Sequence, residues 1–413
     1  MQTFTTLFLS LLLLMLLTQL WLGSRQIRYV QRHRRAVPDA FRRRLPLKAH
    51  RKAADYTIAL TRFGRVEYIA SAGLLLFWTL GGGLDLLDRA WRLLGMDALA
   101  TGTAFMLSAF VLMECIELPF NAWRAFVIES RFGFNRLTPG LFFADQAKHL
   151  LLLLLLGVPL AFAVLWIMQQ TGEYWWLYAW LLWIGFSLFL VWAYPTLIAP
   201  LFNKFRPLQA GAIRRQVQAL LKRTGFRSRG IFVIDGSQRT THGNAYFTGF
   251  GRNKRIVFFD NLLDSLREKE VIAVLAHELG HFKRGHIRQR LVIMMFLSFL
   301  GFALLGWLLG QVWFYTGLGI TQPSPPAALM LFILAGPVFT YFLQPLSAWR
   351  SRRHEYEADR FAAEQTNARD LINALVRLYR DNARTLTPDP LHSAFYDSHP
   401  PAAARIAHLA RFL

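Results

Sequence analysis

Seven apolar blocks of near-spanning length, a positive charge confined to alternate connections, and two polar segments on one side predict the fold class. It is an all-α integral membrane protein of about seven transmembrane helices, with an α+β domain on its cytoplasmic face. The 413 residues are 54% hydrophobic, and the apolar residues are gathered rather than dispersed. A hydrocarbon core needs about 20 apolar residues per helix. The blocks run over 3–22, 66–84, 101–120, 148–168, 175–199, 291–312 and 327–347, the second being the shortest.

The first block is read as a retained span rather than a signal peptide. No basic residue precedes it, and no small-residue cleavage pattern follows before Arg25. The net charge of +22 invites a nucleic-acid reading, but its distribution favours a membrane one. Residues 24–65 carry Arg25, Arg28, Arg32, Arg34, Arg35, Arg42, Arg43, Arg44, Lys48, Arg51 and Lys52, whereas residues 315–326 carry no charge and 169–174 only Glu173. The positive-inside rule then puts the N-terminus outside and the basic loops in the cytoplasm, against anionic lipid headgroups. No nucleic-acid partner is expected, and a monomer is. Tryptophans near span ends, such as Trp175 and Trp176, read as an interface belt. The single cysteine, Cys115, lies in the third span; it excludes an intramolecular disulfide and reads as packing.

The chain divides into spans one to five (1–205), a cytoplasmic segment (206–290), spans six and seven (291–350) and a C-terminal cytoplasmic segment (351–413). Only two spans separate the two polar segments, so both lie on one side and can build one site. In the first, 209–224 reads as an amphipathic helix and 231–235 (IFVID) as a strand. Residues 244–250 and 254–260 read as two further strands joined by a turn at Gly251-Arg252-Asn253. Ser265 with Glu268 three residues later reads as a capping box for a helix reaching Lys283.

That helix carries His277-Glu278-Leu279-Gly280-His281. Positions i and i+4 share a helical face, so two imidazoles can converge on one metal ion, with Glu278 beside them as a general base. Zinc suits such a set, because it accepts nitrogen and oxygen ligands and can keep an open position for water. A third protein ligand is still required. A histidine ten positions after the first would provide one, but Ile287 stands there and His286 is one residue short. A carboxylate from another helix is the alternative. In SRRHEYEAD (351–359), Glu355 and Asp359 lie four apart; Glu355 could ligate the metal and Asp359 could hold a ligand imidazole. The competing reading is an exposed charged helix paired with Arg352 or Arg353. Inside the third span, Glu114 and Glu117 lie one turn apart; intramembrane carboxylates seldom face lipid, so both are expected to face the interior, or else to pair with Arg124.

Six separated stretches together resemble the CAAX prenyl endopeptidases, a family of multi-span membrane zinc metallopeptidases. They are FGFNRLTPGLFFAD (132–145), YPTLIAPLFNKFRPL (194–208), HGNAYFTGF (242–250), HELGHFKRGH (277–286), SRRHEYEAD (351–359) and SHPPAAARI (398–406). The resemblance implies one zinc per chain bound by His277, His281 and Glu355, with Glu278 as general base. Asp359 and Arg405 would support the site, and His399 would approach the substrate carbonyl oxygen. Residues Asn244, Ala245 and Tyr246 would pair with an extended substrate backbone. The fold implied is a ring of seven helices around a water-filled chamber, which Glu114 and Glu117 would line. The chain ends in Ala-Arg-Phe-Leu rather than a lysine-based retrieval signal, which resembles a bacterial member in the inner (plasma) membrane, with its site on the cytoplasmic side. The substrate implied is a peptide or protein, lipidated or not.

Three rivals are weighed. Proteases of the site-2 type set their motif inside the bilayer, whereas charged residues flank this one: Arg267 to Glu270 before it, Lys283 and Arg284 after it. Heat-shock-type membrane zinc proteases have fewer spans. A non-catalytic channel, transporter or lipid-binding scaffold with a structural zinc would not need Glu278, and would close its fourth position with another His or Cys.

Overall fold

The computed structural model describes residues 2–248 and 254–413; the turn expected at 251–253 lies outside them. The membrane portion begins with α1 (Gln2–His33), α2 (Leu47–Trp78), α3 (Gly83–Arg92), α4 (Ala98–Trp123), α5 (Pro139–Gln170) and α6 (Trp175–Ala193). A short α7 (Ala199–Phe202) leads into the polar domain: β1 (Phe205–Pro207), α8 (Ala212–Arg223), β2 (Gly230–Ile234), β3 (Ala245–Thr248), β4 (Arg255–Phe259), α9 (Asp260–Ser265) and α10 (Glu268–Lys283). The chain returns through α11 (His286–Leu308), α12 (Val312–Thr316) and α13 (Pro325–Thr340). It ends in α14 (Gln344–Gln365), α15 (Ala368–Asp381), α16 (Pro390–Tyr396) and α17 (Ala402–Leu409).

Six helical stretches are long and apolar enough to cross a membrane, and the bent pair α2–α3 makes a seventh if counted as one span. The span expected at 66–84 is the end of a longer helix. It breaks after Trp78 and resumes at Gly83 with a 45° turn. Glycines permit the break: Gly82 has φ +78°, and a Cβ on Gly81 would meet the Phe77 backbone at 2.9 Å. Helices of 32 residues are about 48 Å long, well over the roughly 30 Å hydrocarbon core. Much of the basic segment 24–65 is therefore helical extension of α1 and α2 rather than loop. The last apolar stretch likewise continues, past a single-turn break at Tyr341–Leu343, into polar α14.

Helix contacts close a ring: α1 meets α2, the segment after α4 meets α2, then α4–α5, α5–α6, α6–α11, α11–α13 and α13–α1. The ring is packed mainly at one end. There Phe8, Leu84, Phe105, Leu165, Trp175, Leu305 and Met330 form one buried cluster. At the opposite end apolar residues such as Val66, Leu112, Trp123, Leu151 and Leu197 are exposed.

The α4 helix separates two exposed stripes. At 100° per residue, Glu114, Glu117, Asn121 and Arg124 fall on one side, and Leu112, Cys115, Pro119 and Trp123 on the opposite side. Cys115, expected as packing, is thus exposed. Arg124 pairs with Glu67 at 2.6 Å and not with either span glutamate; Glu114 and Glu117 are exposed.

The polar domain holds a four-stranded sheet in the order β1-β2-β4-β3, with β2 parallel to β4 and the outer pairings antiparallel. Strands form at all three expected places, the one expected over 244–250 being described as far as Thr248; β1 is too short and too polar to announce itself. Val217, Leu220, Ile256, Phe258, Leu275, Leu371 and Leu375 build its core around α10. The α10 helix starts at Glu268 rather than at Ser265. Ser265 ends α9, and the box is formed instead by Glu270, whose carboxylate accepts the Arg267 backbone N–H at 2.9 Å.

A candidate metal centre between two helices

The α10 helix is buried on nearly all sides, which suits an element that must be rigid. Its closest partner is α14. Gly280, inside the HELGH motif, lies where a Cβ would meet Ala358 Cα at 2.9 Å and its carbonyl oxygen at 3.2 Å. Both atoms belong to the backbone and cannot swing aside. This contact lets α14 approach closely enough to present Glu355 and Asp359 to the two motif histidines. Gly280→Val is expected to force the helices apart, costing about 1–3 kcal/mol of stability. It should lower the metal content as well, as read by thermal unfolding and elemental analysis.

His277 Nε2 and His281 Nε2 lie 3.3 Å apart. Glu355 Oε2 is 3.5 Å from the first and Glu355 Oε1 3.3 Å from the second. One donor atom from each of the three residues falls within 4.8 Å of the others. Glu355 is 3% exposed, yet its Oε2 makes no aligned hydrogen bond, although His399 Nδ1 is 2.7 Å away. A buried carboxylate facing two imidazole nitrogens is a donor set that a cation completes.

The other nitrogen of His277 is tied down. Its Nδ1 lies 2.9 Å from Asp359 Oδ1, and Asp359, fully buried, receives Arg405 Nη2 at 2.5 Å and Nε at 2.9 Å. Arg405 is itself buried and also reaches Glu355 at 3.5 Å. Burial pulls the His277 imidazole down, but hydrogen bonds to Asp359 and Glu355 outweigh it and raise it to about 9. A cation bound at Nε2 would therefore take the place of a proton. The alternative reading of 351–359 as an exposed charged helix is overturned, since Glu355 and Asp359 are both buried. Arg352 instead donates to the backbone carbonyls of Ser393 and Asp397.

Glu278 is half-buried beside the pair, and its carboxylate has no hydrogen bond or ion pair among the described residues. His399 is exposed except where it meets Glu355. Of the expected strand residues, Ala245 and Tyr246 begin β3, opposite Phe258 and Val257, while Asn244 precedes it and is exposed. The β3 strand is an edge of the sheet and packs on α10, the motif helix; among the described residues one side of its backbone has no strand partner. Glu114 and Glu117 do not join this cluster.

The loop before β3 contains contacts that spacing does not reveal. Asn382 and Gly243 exchange hydrogen bonds at 3.1 and 3.3 Å. Asn261 donates to the carbonyls of Thr240 and His242. His242 stacks on Phe134 at 4.6 Å and approaches Glu129, which also accepts the Tyr56 hydroxyl. Asp145 receives Arg239 at 2.9 and 3.0 Å. The contacts of Glu129, Phe134 and Asp145 join the helix bundle to the loop before the edge strand. Their only hint in the sequence is that Phe134, Asp145 and His242 all sit in the stretches that carry the family resemblance.

Residues 26–204 match the family described as CAAX prenyl protease N-terminal, five membrane helices, and residues 207–412 match peptidase family M48. A CAAX prenyl protease 1 homolog from Arabidopsis thaliana is 36% identical over 80% of this chain and 77% of its own. Its counterpart from Homo sapiens is 34% identical over 74% of this chain and 72% of its own. The crystal structure of S. mikatae Ste24p is similar with a TM-score of 0.91 and 28% identity, covering 98% of this chain and 99% of that one. One buried and one half-buried histidine with a buried glutamate, on helices that flank a membrane hairpin, agree with these matches: the chain belongs to peptidase family M48 and is an integral membrane metalloendopeptidase of the CAAX prenyl protease type.

Proposed function

We propose that the chain hydrolyses a peptide bond in a peptide or membrane-associated protein, lipid-bearing substrates included, using one zinc ion held by His277, His281 and Glu355. The observation that carries this reading is the convergence of those three side chains beside an open edge strand. When bound, zinc would polarise the scissile carbonyl and lower the pKa of water at the site to about 7. Asp359 orients His277 through Nδ1, with Arg405 neutralising it. Substrate adds to β3 beside Asn244, Ala245 and Tyr246 as an extended strand. Glu278, with no partner among the described residues to compete for it, takes the proton from the attacking water and delivers it to the leaving amine. His399 donates to the carbonyl oxygen as negative charge develops there. His399→Ala is expected to lower kcat about 10²–10³-fold with little change in KM, as measured by steady-state kinetics.

The positive charge of 24–65 favours a cytoplasmic site, with those arginines and lysines on anionic headgroups; the proposed setting is a monomer in the bacterial inner membrane. The stripe Glu114, Glu117, Asn121 and Arg124 would line an interior chamber, with the opposite apolar stripe in lipid. The relatives named CAAX prenyl protease suggest a farnesylated C-terminal peptide as first substrate. Cleavage of that peptide and not of its unprenylated control would make the lipid a determinant; cleavage of both would make it dispensable; zinc uptake without cleavage of these or of a broad peptide library would favour a structural zinc.

A further inference from the structure

His286 follows the motif by five residues. On a continuous helix it would lie about 140° away from the His281 face. The helix ends at Lys283, and Gly285, at φ +71°, redirects the chain. As the first residue of α11, His286 folds back over His281 and is 3% exposed. Its Nδ1 lies 3.0 Å from His281 Nδ1, its Nε2 lies 3.0 Å from Glu357 Oε2, and its ring stacks on His354 at 4.0 Å and 6°. His354 and Glu357 are three apart on α14 and so share a face; it is a different face from the one bearing Glu355 and Asp359.

We infer that His286 is a positioning residue that fixes the tautomer and ring orientation of His281, with Glu357 fixing His286 in turn. The inference rests on the proposed zinc reading, and the hydrogen count supports it. His281 presents Nε2 to His277 and Glu355, so its remaining proton is on Nδ1. Two facing Nδ1 atoms can share one proton only, hence His286 accepts there and carries its own proton on Nε2. That proton meets the Glu357 carboxylate. Each ligand histidine is thus held from behind by a different device: His277 by the fully buried Asp359–Arg405 pair, His281 by a neutral imidazole backed by a half-exposed carboxylate. Because His286 opens the sixth span, the second device also couples the bundle to the ligand set.

The test is zinc affinity of the full-length protein in detergent, measured against a chelating zinc buffer, together with the electronic spectrum of the cobalt-substituted protein. His286→Leu removes the acceptor and is expected to weaken zinc binding about 10–100-fold and to shift the cobalt bands. In His286→Asn the amide oxygen can replace Nδ1, and this variant should recover most of the affinity and the wild-type spectrum. Wild-type affinity and spectrum in His286→Leu would overturn the inference, as would equal impairment in the Leu and Asn variants, which would indicate packing alone. Should His286→Leu fail to fold, Glu357→Leu, at a half-exposed site, is expected to weaken zinc binding in the same direction, and unchanged affinity there would overturn the inference. Wild-type protein that takes up no zinc would overturn the zinc reading and this inference with it.

Discussion

Glu278→Gln protein is expected to hold one metal per chain, as the wild type does, and to lose about 10²–10⁴-fold in kcat. The amide has nearly the shape of the carboxylate, so packing around the motif should persist. Glu278 is not among the three donors that converge, and no ion pair among the described residues depends on it, so neither folding nor metal uptake has reason to change. What disappears is the capacity to accept a proton from the attacking water. Metal content and turnover measured on the same preparation separate the outcomes. Full activity would remove Glu278 from the chemistry, and loss of metal would make it structural.

Glu355→Ala is expected to lose both metal and activity. The site has two nitrogens and one oxygen, and removing the oxygen leaves two imidazoles from one helix turn. The loss reaches further, because Arg405 and His399 both approach Glu355. Taking one partner from a buried charge cluster is itself costly, about 3–5 kcal/mol for a simple pair. In the wild type, metal at a hundred times its dissociation constant should stabilise the fold by about 2.7 kcal/mol. In Glu355→Ala that increment should vanish, so metal no longer raises the unfolding temperature. A variant that still unfolds later with metal present would show that the ligand set lies elsewhere.

These expectations rest on residues whose legibility differed. His277, His281 and Glu278 could be picked out because helical spacing alone puts i and i+4 on one face. Glu355 and Asp359 were readable as a pair for the same reason, but their burial was not: a charged segment such as SRRHEYEAD is compatible with a solvated helix until something covers it. His399 and Arg405 came only from resemblance, since a turn-like SHPP carries no periodic signal. His286 fails the one histidine spacing that would make it a ligand, and its actual contact depends on a turn at Gly285 that spacing rules cannot describe. The helix starts at Glu268 rather than at Ser265 because Ser-x-x-Glu and the Arg267–Glu270 arrangement compete within the same few residues, and Glu270, buried, takes the Arg267 N–H.

Membrane class, most of the spans, three of the four strands and the motif helix are legible in the sequence alone. Each follows from local periodicity or block length, which the chain carries without reference to any distant residue. Two things awaited tertiary structure. One is the bend between α2 and α3, where a glycine run turns one expected span into two helices. The other is the metal centre itself. Its ligands come from α10 and α14, separated by two spans, and meet because Gly280 offers no side chain against the Ala358 backbone. Close approach of two helices is a property of the pair, and neither helix encodes it alone.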